Sequence, residues 1–194
     1  MLSSKRLQTR RVVLHAAMAL LRKQGPARVT MEDVARAAGL SRQSVYLHFQ
    51  NRTKLMLALF AHVGEELGGA EFFRPLPKGV DARALLDTRL RMLAPYAARL
   101  HEIALALDIA RHHDPIAQAA WNDRMARRRR IIRALVARLA AAGAIRKDWG
   151  KERTADAIWA LCSPRTYADL VAERAWSLPD YERFLITTAR AFLS

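Results

Sequence analysis

The chain has little of several features that mark other classes of protein. Its 194 residues include one cysteine, Cys162, so neither an internal disulfide nor a thiolate metal cage can form. No stretch of 18 consecutive apolar residues occurs, which excludes a membrane-spanning helix. Aromatic residues make up only 7% of the chain, yet 52% of it is hydrophobic, enough for a buried core. We therefore expect a folded, cytoplasmic protein of one large domain or two small ones.

The N-terminus imitates a secretory signal without having all of its parts. An apolar run from Val12 to Leu21 follows four basic residues, which is the order found in a signal peptide. However, His15 interrupts the run, and Arg22-Lys23-Gln24 stands where a cleavage site of small residues is required. We interpret this segment as an amphipathic helix of the folded protein.

Acidic residues are scarce, especially at the N-terminal end. The chain has 33 Lys and Arg against 18 Asp and Glu, a formal charge of +15. Residues 1–56 contain only two acidic residues, Glu32 and Asp33, and carry +9, whereas residues 57–194 carry +6. A compact positive segment is typical of proteins that bind a polyanion, either nucleic acid or a membrane surface. An ordinary solvated surface stays open as the alternative.

The residue pattern predicts an all-α protein. Ala, Leu and Arg dominate, runs of β-branched residues are absent, and no segment alternates with period two. In the N-terminal part, Gly25-Pro26 ends a first helix, and three capping residues begin the next three helices. These caps are Thr30, with Asp33 as a weaker form of the capping box, Ser41 and Asn51.

A loop is expected after the fourth helix. Gly68-Gly69 ends that helix, and two prolines and a glycine fall between Arg74 and Gly79. Further helices are predicted over residues 81–93, 95–110, 115–142, 150–161, 164–175 and 179–193. We divide the chain into domains of residues 1–55 and 56–194.

Residues 30–49 have the pattern of a helix-turn-helix. Gly39 stands where a positive φ is needed between two short helices, and Leu40 would fill the angle between them. Arg42, Gln43 and Ser44 occupy the first turn of the second helix. Arg and Gln form bidentate contacts with guanine and adenine, so this turn is a candidate for reading bases in the major groove of DNA.

Other polar residues are candidates for phosphate contacts. Tyr46 and His48 can donate hydrogen bonds to phosphates, and Lys54 adds a cation at a helix N-terminus. Thr30 caps its own helix and could also touch a phosphate. The alternative is a plain solvent face, but such a face rarely carries two aromatic donors between apolar residues.

These residues resemble a known DNA-binding signature. The segments that carry the resemblance are Thr30–Ala35, Ala38–Ser41, Val45–Phe49 and Lys54–Leu55. They are similar to the signature of TetR-type (tetracycline-repressor-like) transcriptional regulators over about residues 8–60. The resemblance implies a ligand-responsive repressor that binds a palindromic operator in double-stranded DNA as a homodimer. It implies a three-helix helix-turn-helix domain in residues 1–55 and a helical domain in residues 56–194 that binds the effector and dimerises.

The resemblance also implies a role for individual residues. The base-reading positions are Arg42, Gln43 and Ser44. The phosphate-contacting positions are Thr30, Tyr46, His48 and Lys54. Gly39 would hold the turn between the two helices.

The C-terminal two thirds contain no catalytic constellation, and we expect no enzyme activity, cofactor or metal. Asp108 and His112 have the i, i+4 spacing of zinc ligands, but residues 112–115 also read as an ordinary helix end. A small helical metal-dependent enzyme using His112 and Asp114 is therefore the alternative class of protein. A non-specific nucleic-acid-binding protein is a third.

Several large apolar residues lie on the predicted C-terminal helices. In most helical proteins such residues are core. The resemblance implies a ligand cavity among these helices, and its contents would be an apolar or amphipathic small molecule. The candidate lining residues are Met92, Leu105, Trp121, Met125 and Trp159. We expect the arginines of residues 127–130 to extend into solvent or to pair with acids.

Overall fold

Helices make up the regular structure of residues 4–67 and 79–194, which are the residues that the computed structural model describes. Within them the only β pairing is an isolated bridge between Ile145 and Leu193. The helices are α1 (Ser4–Gln24), α2 (Met31–Ala37), α3 (Arg42–Phe49), α4 (Arg52–Glu66), α5 (Ala82–Ala110), α6 (Pro115–Ala141), α7 (Gly150–Leu161), α8 (Pro164–Tyr167) and α9 (Leu178–Arg190). The prediction of an all-α protein is confirmed.

One compact unit, which we call the N-terminal unit, contains residues 4–67 and 102–121. Helix α1 buries Val13, Ala17 and Leu21, which recur at the spacing of one helical face. Helix α4 contributes a second buried stripe, formed by Leu55, Met56, Leu59, Phe60 and Val63. The short helices α2 and α3 also pack against this core. Neither is long enough to be stable in isolation, so both depend on that packing.

The first turn of α4 is tied to its surroundings by two polar side chains. The Arg52 Nε donates to the carbonyl of Val29 at 3.0 Å. The Thr53 hydroxyl donates to the Asp114 carboxylate at 2.5 Å. Asp114 also accepts from the backbone N–H of Ile116 at 2.8 Å, so the same carboxylate begins α6 and holds α4.

The second compact unit, the C-terminal unit, contains residues 79–101 and 122–194. Its core is formed by apolar residues that α5, α6, α7 and α9 turn inward. The most deeply buried are Leu86, Val136, Leu139, Ile158, Tyr181, Leu185 and Ala189. Each large apolar side chain in this set contributes about 1.5–3 kcal/mol through burial, so the unit has a substantial core of its own.

Helix α5 runs without a break through Pro95, although we predicted two helices over residues 81–93 and 95–110. A proline inside a helix removes one hydrogen bond and costs about 3 kcal/mol. Pro95 itself is exposed, whereas Leu93, Ala94 and Leu100 around it are buried. The prediction was wrong because burial on both sides of the proline outweighs the local cost.

The C-terminal helices bury some of their apolar residues within the subunit. Ser163 caps α8, and the predicted helix over residues 164–175 is α8 followed by a π-helical turn over Ala168–Glu173. Tyr167 and Leu185 are buried in the core of the C-terminal unit. In contrast, Trp176 and Leu178 remain 38% and 37% exposed.

Parts of two sequence predictions lie outside the described residues. These are the glycines Gly68-Gly69, which were predicted to end the fourth helix, and residues 74–78 of the predicted loop. Among residues 4–67 and 79–194, none of the helices combines the length and the hydrophobicity needed to span a bilayer.

Candidate nucleic-acid interface

The turn between α2 and α3 is built by caps and one glycine. The Thr30 hydroxyl accepts from the Asp33 N–H at 3.1 Å, and the Asp33 carboxylate accepts from the Thr30 N–H at 3.2 Å. Together these bonds form a complete capping box at the start of α2. Gly39 has a φ of +65°, as predicted, and Ser41 caps α3 by accepting from the Ser44 N–H at 3.2 Å. The helix-turn-helix is therefore fixed by local hydrogen bonds.

Helix α3 has one buried face and one exposed face. Val45 and Phe49, one turn apart, are buried, and Val34 of α2 is buried in the same unit. Arg42 and Gln43 are exposed. Because the buried residues fix the rotation of the helix, the polar residues of its first turn point to solvent.

Arg42 is already held in position. Its guanidinium lies 2.6 Å from the Glu32 carboxylate and 5.4 Å from the centre of the Tyr46 ring. Both charged side chains are more than half exposed, so the ion pair contributes little to stability. It does orient the arginine beside the exposed face of α3.

One further candidate was missed by the sequence reasoning. Leu47 lies on α3, four residues after Gln43, and is 71% exposed, the largest exposure among the large hydrophobic residues described. An exposed leucine beside the predicted base-reading residues is of the type that contacts the methyl group of thymine. The sequence pattern alone did not separate Leu47 from the buried Val45 and Phe49.

The predicted phosphate-contacting residues have different surroundings. The Thr30 hydroxyl donates to the Asp33 carboxylate at 2.6 Å, so a phosphate would compete with this bond. Lys54 is exposed in the first turn of α4, and its ammonium donates to the Gln50 side chain. Tyr46 is half-buried beneath Arg42. Of these three residues, only Lys54 is charged, and it is exposed.

His48 sits among cations. Partial burial, and then the charges of Arg6 and Arg10, lower the pKa of His48, so its imidazole is neutral at pH 7. Arg10 lies 4.6 Å from the centre of the Phe49 ring and donates to the His48 carbonyl at 3.5 Å. A phosphate near His48 would therefore meet an imidazole N–H and two guanidinium groups.

The carboxylates of the alternative metal site form other interactions. The Asp108 carboxylate pairs with Arg111 at 2.5 Å. Asp114 is hydrogen-bonded to Thr53 and to the start of α6, which holds the pKa of its carboxyl below the usual value. His112 and His113 have ring centres 6.5 Å apart. This arrangement is a helix end whose two carboxylates already have partners.

A different group of metal-ligand type lies on α1 and α4. His15, His62 and Glu66 bring one ligand atom each to within 4.8 Å of one another. The His62 imidazole is 3.3 Å from the Glu66 carboxylate, a distance that an ordinary ion pair also explains. In residues 4–67 and 79–194, no other group of three such residues comes as close together.

The predicted pocket residues are divided between the units. Leu105 and Trp121 belong to the N-terminal unit, where Arg111 lies 5.2 Å from the centre of the Trp121 ring. Met92, Met125 and Trp159 belong to the C-terminal unit. Of these, Met125 and Trp159 are brought together by a shared contact with Arg128.

The fold and this surface define a helix-turn-helix protein with a helical C-terminal unit, and comparisons with known proteins agree. Residues 13–59 match the family described as bacterial regulatory proteins, tetR family. A 58-residue segment is 38% identical to the HTH-type transcriptional regulator TtgR of Pseudomonas putida, covering 30% of this chain and 28% of that protein. A 92-residue segment is 37% identical to the HTH-type transcriptional repressor LfrR of Mycolicibacterium smegmatis, covering 45% of this chain and 47% of that protein. The matched segments thus span less than half the length of these relatives.

The fold extends the likeness beyond the matched segment. The solved structure of NalD, the secondary repressor of the MexAB-OprM multidrug efflux pump in Pseudomonas aeruginosa, superposes with a TM-score of 0.72. The two chains are 22% identical, and the superposition covers 98% of each. At this identity the likeness shows a shared fold. Residues 13–59 are thus similar to the DNA-binding segment of the TetR family, and the whole described chain shares its fold with a solved repressor structure.

Proposed function

We propose that the protein is a sequence-specific DNA-binding transcriptional regulator that acts as a repressor. The observation that carries this proposal is the exposed face of α3, where Arg42, Gln43 and Leu47 lie above buried Val45 and Phe49. This helix lies within the +9 segment of residues 1–56. A short exposed helix on a strongly positive surface suits insertion into the major groove of DNA.

We assign a DNA contact or a structural role to each residue of this interface. Arg42 reads guanine, Gln43 reads adenine, and Leu47 contacts a thymine methyl. Ser44, whose backbone N–H is used by the Ser41 cap, offers its hydroxyl to a base edge. Gly39 maintains the turn. The residues that contact phosphates are Thr30, Tyr46, His48 and Lys54.

The regulator acts as a homodimer on a two-fold symmetric operator. A dimer must place its two α3 helices about 34 Å apart, or a multiple of that distance, to reach successive major grooves. Residues 1–55 are the DNA-binding domain, and residues 56–194 bind the effector and form the dimer. The exposed Trp176 and Leu178 are candidates for the dimer surface. Relatives that are named repressors support the repressor assignment.

A small molecule controls this activity. An effector that prefers a different spacing of the two α3 helices would weaken operator binding, because it stabilises one of two states of the dimer. Met92, Leu105, Trp121, Met125 and Trp159 remain the candidate contacts for the effector.

Selection of random DNA duplexes by the purified protein at one near-physiological salt concentration tests the proposal. We expect enrichment of a two-fold symmetric sequence, because each subunit of a dimer reads one half-site. The selection is repeated after unfolding and refolding the protein to remove any bound small molecule. Tight binding without enrichment in both experiments would indicate a non-specific nucleic-acid-binding protein, and the proposal would be wrong.

A further inference from the structure

Arg128 of α6 is turned into the C-terminal unit. The carbon at the centre of its guanidinium lies 4.4 Å from the centre of the Trp159 ring. One terminal nitrogen donates to the Trp159 carbonyl at 2.6 Å, and the other lies 3.8 Å from the Met125 sulfur. Burial lowers the pKa of Arg128 to about 10, which still leaves the side chain charged at pH 7. The expectation that this arginine extends into solvent or pairs with an acid was wrong.

The charge of Arg128 is not compensated by a carboxylate. Two other arginines of α6 are compensated, since Arg129 pairs with Asp156 and Arg133 pairs with Glu152, each at 3.2 Å on the exposed surface. In the part of the chain that the structure describes, no Asp or Glu pairs with Arg128. Withdrawing a charge from water without a partner is costly, and so the position is unusual for a purely structural residue.

Three hydrogen-bond donors around this charge are also unused. The Arg128 Nε, the Trp159 Nε1 and the Tyr181 hydroxyl are buried and have no hydrogen-bond partner among residues 4–67 and 79–194. Tyr181 has an exposure of 0%, and burial raises the pKa of its hydroxyl while the charge of Arg128 opposes that shift. Arginine and tryptophan nitrogens can donate but not accept. The cluster therefore lacks an acceptor that also carries negative charge.

We propose that the C-terminal unit binds a small organic carboxylate, with Arg128 facing the carboxylate and Trp159 and Tyr181 donating to its oxygens. Two oxygens have enough lone pairs for these three donors. The hydrocarbon part of the ligand lies against the aromatic rings of Trp159 and Tyr167 and the apolar core around them. This inference rests on the proposed response to a small molecule, and it narrows the effector from apolar or amphipathic to anionic.

Helix capping is the competing explanation for Arg128. The Trp159 carbonyl is one of the last four of α7, which have no partner within the helix, and a cation there is favourable. Capping accounts for the terminal nitrogen that bonds this carbonyl. It leaves the Arg128 Nε, the Trp159 Nε1 and the Tyr181 hydroxyl without a partner.

Thermal unfolding of the full chain with defined probes tests the proposal. The probes are benzoate, hexanoate and decanoate, and their neutral amides are the matched controls. We expect at least one carboxylate to raise the Tm by roughly 5–10 °C at 100 times its Kd, because it binds only the folded protein. The corresponding amide should cause almost no shift. If none of the carboxylates raises the Tm, or if an amide raises it equally, the proposal is overturned.

Two variants separate the ligand site from a structural role. Arg128→Met should abolish the shift in Tm caused by the carboxylate. Replacing the exposed Arg133 of the same helix, Arg133→Met, should preserve the shift.

Tyr181→Phe should leave the Tm of the free protein unchanged or higher, since the hydroxyl has no partner in the described residues. It should weaken carboxylate binding about tenfold. If Arg128→Met does not fold, the carboxylate binding of Tyr181→Phe is the test of the proposal. A lower Tm of free Tyr181→Phe with unchanged carboxylate binding would overturn the proposal.

DNA binding is measured separately, so that the two proposals can fail separately. If random duplexes yield a symmetric sequence but carboxylates cause no shift, only the assignment of the ligand class is wrong. If carboxylates bind but no sequence is selected in any condition, the ligand site stands and the regulator assignment is wrong.

Discussion

The two units of the molecule use arginine in opposite ways. In the N-terminal unit, Arg42 lies in water beside Glu32, with both side chains more than half exposed. In the C-terminal unit, Arg128 is half-buried with its Nε out of contact with solvent, and no acid pairs with it in the described residues. An exposed arginine without bound DNA lowers the stability of the fold very little, because water solvates its charge. A half-buried one is solvated less well, and the proposed carboxylate would compensate its charge.

This difference determines how each site should respond to salt. DNA binding releases counterions from phosphates, so it weakens steeply as salt rises. An anion held in a buried site is screened much less.

The exposed reading face depends on a small core beneath it. Phe49→Ala should destabilise the protein by about 3–5 kcal/mol and abolish DNA binding, because the ring that fixes the rotation of α3 is lost. Unfolding in urea and duplex binding are the measurements. Leu47→Ala on the same helix is the control, and its stability should change by less than about 0.5 kcal/mol. Equal destabilisation by both changes would contradict the assignment of the two faces.

Arg42 should carry sequence information. Arg42→Ala should relax discrimination at one base pair by about 1–3 kcal/mol while leaving the other positions of the selected sequence intact. The measurement is duplex selection with the variant. Arg36→Ala, an exposed arginine of α2 that pairs with Asp33, should leave the selected sequence unchanged. An unaltered preference in Arg42→Ala would mean that the reading residues are assigned wrongly.

Two glycines of the N-terminal unit should respond to alanine with opposite signs. A side chain would meet no atom within 4 Å at either Gly39 or Gly64, so backbone conformation alone decides. Gly39→Ala should cost roughly 1–2 kcal/mol, because its φ of +65° is unfavourable for alanine. Gly64→Ala, inside α4, should stabilise by about 0.5–1 kcal/mol. Urea unfolding measures both, and the same sign for both would refute this account of the turn.

Lys54 should contribute charge but no sequence preference. Lys54→Ala should weaken binding to all duplexes alike and reduce the slope of log Kobs against log salt by about 1. Lys151→Ala, at an exposed position of the C-terminal unit, serves as the control and should leave the slope unchanged. The proposed phosphate contact is absent if the two variants behave alike.

The smallest predicted effect is a pH dependence at Asp114. The Thr53 hydroxyl and two backbone N–H groups lower the pKa of this carboxyl from 3.8. Its contribution to stability is therefore complete above the pKa of the unfolded chain and is lost as the pH falls through the lower folded value. Asp114→Asn should make the urea midpoint less sensitive to pH below about 5, since asparagine retains the cap but not the charge. An unchanged pH profile would show that Asp114 does not titrate with folding.

Much of the N-terminal unit could be predicted because its structure is local. Thr30, Ser41 and Asn51 each cap a helix whose first turn follows immediately in sequence, and all three caps form. Gly39 adopts a positive φ that few other residues tolerate. Pro95 shows the limit of such reasoning, because its effect on α5 depended on the burial of its neighbours.

The all-α class, the helix-turn-helix with its caps and the positive charge of residues 1–56 could all be predicted from the residues alone. These follow from helical periodicity and from hydrogen bonds between residues three or four apart. Contacts between residues distant in sequence leave Leu47 exposed on α3 and place the half-buried Arg128 beside Trp159 and near Tyr181. The residues around Arg128 come from α6, α7 and α9. Residue spacing within one helix predicts which residues share a face. It does not predict which other helix packs against that face.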